Sequence, residues 1–180
     1  MPMIVYFLRH ASSGVRREDP VLDRKRGLDK EGKRQCLVIG AYLGALRVNF
    51  DAIISSPLKR ALQTASLVAT EVGFEQKIIT DSSLEPSGRF ADFIAMLGRN
   101  SERETVLVVG HNPNLAQFAS GLIVTGPRGD RAAVRLRKAG LARIDLNRRP
   151  GQLLDLVEAR SLQQFQTSAT KRSRRKTSRK

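Results

Sequence analysis

The segments Ile4-Val5-Tyr6-Phe7-Leu8-Arg9-His10 and Val106-Leu107-Val108-Val109-Gly110-His111 each close an apolar run with one of the chain's two histidines. Apolar runs this short, with no polar residue alternating through them, predict strands buried on both faces, as in a parallel sheet. Ligands of open α/β sheets bind at the carboxyl ends of the strands. Two such runs therefore carry both imidazoles, and Arg9 with them, to one edge of one sheet.

Working outward, further short runs at 52–55, 77–80 and 141–146, and a weaker one at 153–157, predict the remaining strands. Between them apolar residues step at helical spacing: Cys36, Ile39, Leu43, Leu46; then Leu58, Ala61, Ala65, Val68, Val72; then Phe90, Phe93, Ile94, Leu97; then Leu115, Phe118, Ala119, Leu122. Strand and helix in alternation, with strands apolar on both faces, predict a three-layer α/β/α sandwich with a mainly parallel sheet. The last two strands follow one another across the turn-like Asn147–Gly151, which predicts an antiparallel edge. Asp29 reads as the N-cap of one helix. Ser56-Pro57 and Asn112-Pro113 read as a cap followed by proline at the first helical position, each just after a strand.

The 180 residues are 41% hydrophobic, enough for one cored domain over residues 1–162. No apolar run nears the ~20 residues of a membrane span, and no signal-type leader is read at the start of the sequence. The single cysteine, Cys36, sits on a helix's apolar face and reads as core. A lone cysteine fits a reducing cytoplasm. The net charge of +15 invites a nucleic-acid reading, but residues 171–180 alone hold seven basic residues and no acidic one. The other 25 basic and 17 acidic residues leave +8. Residues 163–180 read as a polar, then strongly basic, disordered tail. Such a tail could contact polyanions non-specifically. With aromatics at 5%, stacking recognition of single strands is disfavoured.

Four residues carry the chemistry: Arg9, His10, Arg60 and His111. Arg60 falls in the first turn of the helix after Ser56-Pro57, so it can reach the same edge. Guanidinium forks match phosphate oxygens, and helix N-termini favour anions. Two arginines and two imidazoles converging there make a pocket for a dianionic tetrahedral group. Two histidines without a carboxylate at ligand spacing, and no cysteine cluster, do not make a metal site, so no metal or cofactor is expected.

The same residues resemble the motifs of a known family. Leu8-Arg9-His10-Ala11 resembles the Arg-His-Gly signature of the histidine phosphatase, or phosphoglycerate mutase-like, superfamily. Ser55 through Ala65, which contains Arg60, resembles its second motif. Val109-Gly110-His111-Asn112 resembles its late Gly-His motif, and Leu28-Asp29-Lys30-Glu31-Gly32 its Leu-Thr-x-x-Gly helix start. The order matches, and the shortness of the chain is most similar to the bacterial phosphohistidine phosphatase branch. The resemblance implies a phosphoglycerate mutase-like fold and a metal-independent phosphatase. It implies that His10 is the nucleophile, that Arg9 and Arg60 hold the phosphoryl oxygens, and that His111 donates to them in the transition state. Two positions depart from the pattern. Ala11 replaces a glycine, which matters if that backbone needs a positive φ. Glu85, in Ser83-Leu84-Glu85-Pro86-Ser87-Gly88, lies where many members place a general acid, or else at a variable position in the short branch.

A weak acid suits a good leaving group: imidazole leaves readily once protonated, an alkoxide does not. The leading expectation is therefore a phosphatase of phosphohistidine in a protein. A small phosphate ester or a nucleotide pyrophosphate is the second reading. A non-catalytic basic binding module on the same fold is the third. No oligomeric state is read from the sequence.

Overall fold

The computed structural model describes residues 3–124 and 134–165. One six-stranded sheet organises them. β1 (Ile4–Arg9) is followed by a short helix α1 (Pro20–Arg24), α2 (Lys30–Ala45), β2 (Ala52–Ser55) and α3 (Lys59–Glu71). Then come β3 (Ile79–Thr80), a 3₁₀ turn (Ser82–Leu84), α4 (Phe90–Arg99), β4 (Thr105–Gly110), α5 (Asn114–Ile123), β5 (Gly140–Asp145) and β6 (Gln152–Glu158). Residues 159–165 close the described chain as a helical segment.

The strand order is β3-β2-β4-β1-β5-β6. β3, β2, β4 and β1 run parallel, whereas β5 and β6 pair antiparallel at the far edge. Alternate residues of each central strand enter opposite cores. Val5, Phe7, Val106 and Val108 pack with Phe93, Met96, Leu115 and Phe118 of α4 and α5. Tyr6, Leu8, Leu107 and Val109 pack with Cys36, Ile39, Leu43, Ala61, Ala65 and Val68 of α2 and α3. Burying each large apolar side chain contributes about 1.5–3 kcal/mol, so two full layers explain why the strands show no polar alternation. Cys36 is fully buried, and burial pushes its thiol up to about 12, which leaves it an unreactive core residue.

Four local features differ from the sequence reading. β3 is only two residues long and exposed, as suits an edge strand. α1 carries no sequence periodicity because none of its residues is buried; Asp19 caps it by accepting from the Val21 and Leu22 N–H groups. Ser56-Pro57 and Asn112-Pro113 do not cap helices, since α3 begins at Lys59 and α5 at Asn114 without side-chain caps. Finally, residues 163–165 continue the closing helical segment, while the tail reading of 166–180 lies outside the described residues. No helix among the described residues is long and apolar enough to cross a membrane.

Candidate active site

Strand register assembles the site. Arg9 pairs with Gly110, and Val109 with Ser55, so the chain leaves three neighbouring strands at His10, His111 and Ser56. Backbone bonds hold this fan: His10 N–H donates to Gly110 O at 3.0 Å and Ser56 N–H to Val109 O at 2.9 Å. The imidazole centroids of His10 and His111 are consequently 4.9 Å apart. Both rings are buried, at 7% and 3% exposure.

His10 Nδ1 lies 2.8 Å from Ala11 O. A carbonyl can only accept, so Nδ1 carries the proton and Nε2 keeps its lone pair. His111 Nε2 lies 2.9 Å from Ser56 Oγ. That contact explains why Ser56 is no helix cap: its hydroxyl is spent on His111 and on the Leu58 N–H at 3.3 Å. Asn112 likewise turns away from α5 and donates Nδ2–H to Leu136 O at 2.8 Å.

The arginines flank the imidazoles. Arg9 Nη1 donates to the same Leu136 carbonyl at 3.1 Å. Arg60 Nη1 donates to Asp23 O at 2.9 Å and lies 3.5 Å from Asp23 Oδ2. Among the described residues, Nε of Arg9 and Nε of Arg60 are both buried without a partner. Buried donors are nearly always satisfied, so two orphaned guanidinium N–H groups beside two imidazoles point to an anion.

Electrostatics favours neutral imidazoles. Burial pushes His10 down to about 4, helped by the positive fields of Arg60, Arg9 and Arg26 and opposed by the bond to Ala11 O. Burial likewise pushes His111 down to about 2, with His10, Arg60, Arg9 and Arg26 adding to it. The chain has two histidines, so its imidazole NMR spectrum has two Cε1–H signals to follow. Both should hold their neutral positions from pH 8 to about pH 5, with His10 moving only near pH 4. An imidazole titrating near the ordinary 6.5 would contradict this geometry. The unfolded chain takes up protons near 6.5 that the folded chain refuses. The histidine contribution therefore lowers stability as the pH falls from about 6.5 towards 4.

Several supporting residues have no motif behind them. Arg26 sits at the site's edge, its Nη1 donating to Ser13 O at 2.9 Å and Ser13 Oγ at 2.7 Å. Asp23 ties Arg26 Nε, at 2.9 Å, to Arg60. Burial alone would raise the Asp23 carboxyl, but the Arg17 N–H and the Arg26 guanidinium hold it below the ordinary range. The signal available for α1 was Asp19-Pro20, a cap followed by proline at the first helical position. Ala139 has a left-handed φ of 53° and donates its N–H to His10 O at 3.3 Å.

The helix-start motif acquires a structural reason. Asp29 caps α2 through Gly32 N–H at 2.7 Å, and its Oδ2 accepts from Ser12 Oγ at 2.8 Å and Gly14 N–H at 2.7 Å. A Cβ on Gly32 would come within 1.9 Å of Ser12 O. The motif thus presses α2 against the loop that follows His10. Ala11 lies fully buried in the α2–α3 core and is not among the residues of positive φ, so its methyl group costs no backbone strain. Its N–H donates to Thr64 Oγ1 at 3.1 Å.

Glu85 follows the 3₁₀ turn, and its Oε2 pairs with Arg24 Nη1 of α1 at 3.2 Å. Its loop is pinned by Asn114, whose Nδ2–H reaches both Pro86 O and Gly88 O at 2.7 Å. Among the described residues, no hydrogen bond or ion pair joins Glu85 to either histidine.

Fold and site together define the class: an α/β protein of phosphoglycerate mutase-like architecture with paired histidines at the strand ends. The chain belongs to the histidine phosphatase superfamily, branch 1, whose sequence profile matches residues 5–86. An uncharacterized protein of Picosynechococcus sp. is 33% identical over 142 residues, covering 77% of this chain and 82% of that one. Among solved structures, the protein histidine phosphatase SixA in complex with tungstate has a TM-score of 0.78 at 21% identity, covering 89% of this chain and 99% of that one. A candidate SixA phosphohistidine phosphatase of Agrobacterium tumefaciens has a TM-score of 0.72 at 24% identity, covering 87% and 99%. The α-ribazole phosphatase of Shigella flexneri has a TM-score of 0.68 at 17% identity, covering 87% and 97%. At these identities the structural matches speak for the fold.

Proposed function

We propose that this protein is a metal-independent phosphatase that works through a covalent phosphohistidine on His10, and that its substrate is phosphohistidine in a protein. The observation that carries the reading is the lone pair of His10 Nε2 beside the two partnerless Nε–H groups of Arg9 and Arg60. In the first step Nε2 attacks phosphorus and the P–N bond to the substrate imidazole breaks. That imidazole, already protonated on its other ring nitrogen, takes the bonding pair and leaves as the neutral ring. In the second step water attacks phosphorus, the bond to Nε2 breaks, and phosphate departs as His10 returns to its neutral form. Arg9 and Arg60 hold the phosphoryl oxygens throughout, and His111 donates to them as charge grows in the transition state. Splitting one displacement into two lowers each barrier.

The leaving group discriminates between substrates. An alkoxide needs a proton from the protein, and Glu85 lies in the region where many family members place a general acid, here engaged by Arg24. A site with its carboxylate so occupied suits imidazole better than an alkoxide. The fold match to SixA, called a protein histidine phosphatase, supports the same substrate. The test is a metal-free assay of the native enzyme and Glu85→Gln on a phosphohistidine peptide, para-nitrophenyl phosphate and an alkyl phosphate. The native enzyme should favour the peptide by kcat/KM. Glu85→Gln should slow only the alkyl phosphate appreciably. Preference for the alkyl phosphate would move the substrate to the small esters. Equal slowing of all three, or no effect on any, would exclude Glu85 as a general acid.

A further inference from the structure

The geometry points to the groove between α1 and α3 as the docking surface for the phosphorylated protein, selecting an acidic segment that carries an apolar side chain. The proposal rests on the phosphoprotein reading above and names the surface that would choose among such proteins. The groove has a volume of ≈ 500 Å³ and is lined by Val21, Lys25, Pro57, Lys59 and Leu62, among others. Both walls are continuous with the active site. The α1 wall carries Asp23, 3.5 Å from the Arg60 guanidinium. The α3 wall runs directly from Ser56, which is bonded to His111, through Pro57 and Lys59 to Arg60.

α1 buries no residue, so its side chains contribute nothing to either core. Instead Val21, which lines the groove with Pro57 and Leu62, is 59% exposed, while Leu22 and Val15, 55% and 86% exposed, line the neighbouring depression that shares Lys25 with it. Three exposed aliphatic side chains in one short stretch beside a site are a marker of an interaction surface. The charges around them are mostly positive, with Glu18 the one exposed carboxylate there that makes no hydrogen bond or ion pair among the described residues. Asp19 is used in capping α1, and Asp23 in holding Arg26 and Arg60. The exposed side chains of Arg16, Lys25 and Lys59 make no hydrogen bond or ion pair among the described residues. An apolar floor under unpaired cations complements an acidic, partly apolar surface.

The same charges argue against two other occupants. Residues 171–180 carry seven basic residues, and a second copy of this chain brings a net charge of +15. Both would meet the cationic rim with like charge.

The test uses two phosphohistidine peptides of equal length, both with a leucine near the phosphohistidine, one flanked by glutamates and the other by lysines. At low ionic strength the native enzyme should prefer the acidic peptide about tenfold in kcat/KM, carried by KM and fading as salt is added. Lys25→Glu/Lys59→Glu should abolish or invert that preference, and Val21→Asp should raise KM for the acidic peptide. Turnover of para-nitrophenyl phosphate, which is too small to reach the groove, should stay within about twofold in each variant and reports that the fold is intact. Equal use of both peptides by the native enzyme, or a preference that survives the variants, would overturn the groove and leave the phosphohistidine reading standing. Turnover of para-nitrophenyl phosphate with neither peptide cleaved would overturn that reading and the occupant named here. Lysine-dependent binding to phosphatidylserine vesicles without any peptide preference would reassign the groove to a membrane surface and overturn it too.

Discussion

His10→Ala should lose turnover down to the assay floor, a drop on the order of 10⁴–10⁶-fold, on every substrate tested. The proposed pathway has no covalent route without Nε2, and no other imidazole can replace it: His111 is the remaining histidine, and its Nε2 is held at 2.9 Å from Ser56 Oγ. The loss should not come from unfolding. The ring packs at a strand end, and its Nδ1–H bond runs to the adjacent Ala11 carbonyl, so truncation removes a local contact and opens a small void at the sheet's edge. His10→Asn, which keeps a polar side chain there, should be equally inactive, and both variants should melt within a few degrees of the native protein. A complementary measurement traps the intermediate. Rapid quenching into alkali, where a P–N bond survives, should recover phosphate on a peptide containing His10 and on none containing His111. Substantial activity in His10→Ala, or label on His111, would end the covalent proposal for His10.

The legibility of this site in the sequence divides along physical lines. Residues at the ends of buried strands were readable, because an uninterrupted apolar run such as Val5 to Leu8 fixes where the strand stops and so where His10 must stand. His111 followed by the same argument, and the order of the strands brought the two rings side by side. Arg60 was readable from its place in the first turn of a helix, although that helix starts later than its Ser-Pro cap signal implied. The cap reading failed because a hydroxyl's preference for backbone N–H groups carries no knowledge of a tertiary partner. Ser56 found His111, and Asn112 found Leu136 O. Asp23 and Arg26 were not legible for a different reason. They lie where charged residues crowd and no residue of α1 is buried, so neither hydrophobic period singles them out. The contribution of Leu136 and Ala139 is made by their backbone groups, and a carbonyl that two side chains share leaves no trace in residue type.

Arg60→Ala should cut kcat by about 10²–10³-fold, the cost of one charged donor to a developing anion at about 2.7–4 kcal/mol, and by a similar factor for phosphohistidine and aryl phosphate alike. The uniformity follows from the proposed role, in which Arg60 holds the phosphoryl group that every substrate shares and not the leaving group. Its Nη1 is already committed to Asp23 O, which leaves the N–H groups of Nε and Nη2, unpartnered among the described residues, as donors for a phosphoryl oxygen. Arg60→Lys should recover little, because an ammonium cannot both bond to Asp23 and donate from the Nε position. Arg60 is 5% exposed, so its stem also packs, and alanine removes that packing along with the charge. Arg60→Met separates the two contributions: it keeps the stem's volume and should hold the melting temperature nearer to native while remaining as slow as alanine. His111→Ala should fall by a comparable factor through loss of its own donor. Methionine restoring most of the rate, or a loss confined to one leaving group, would move Arg60 from phosphoryl binding to structural support or substrate selection.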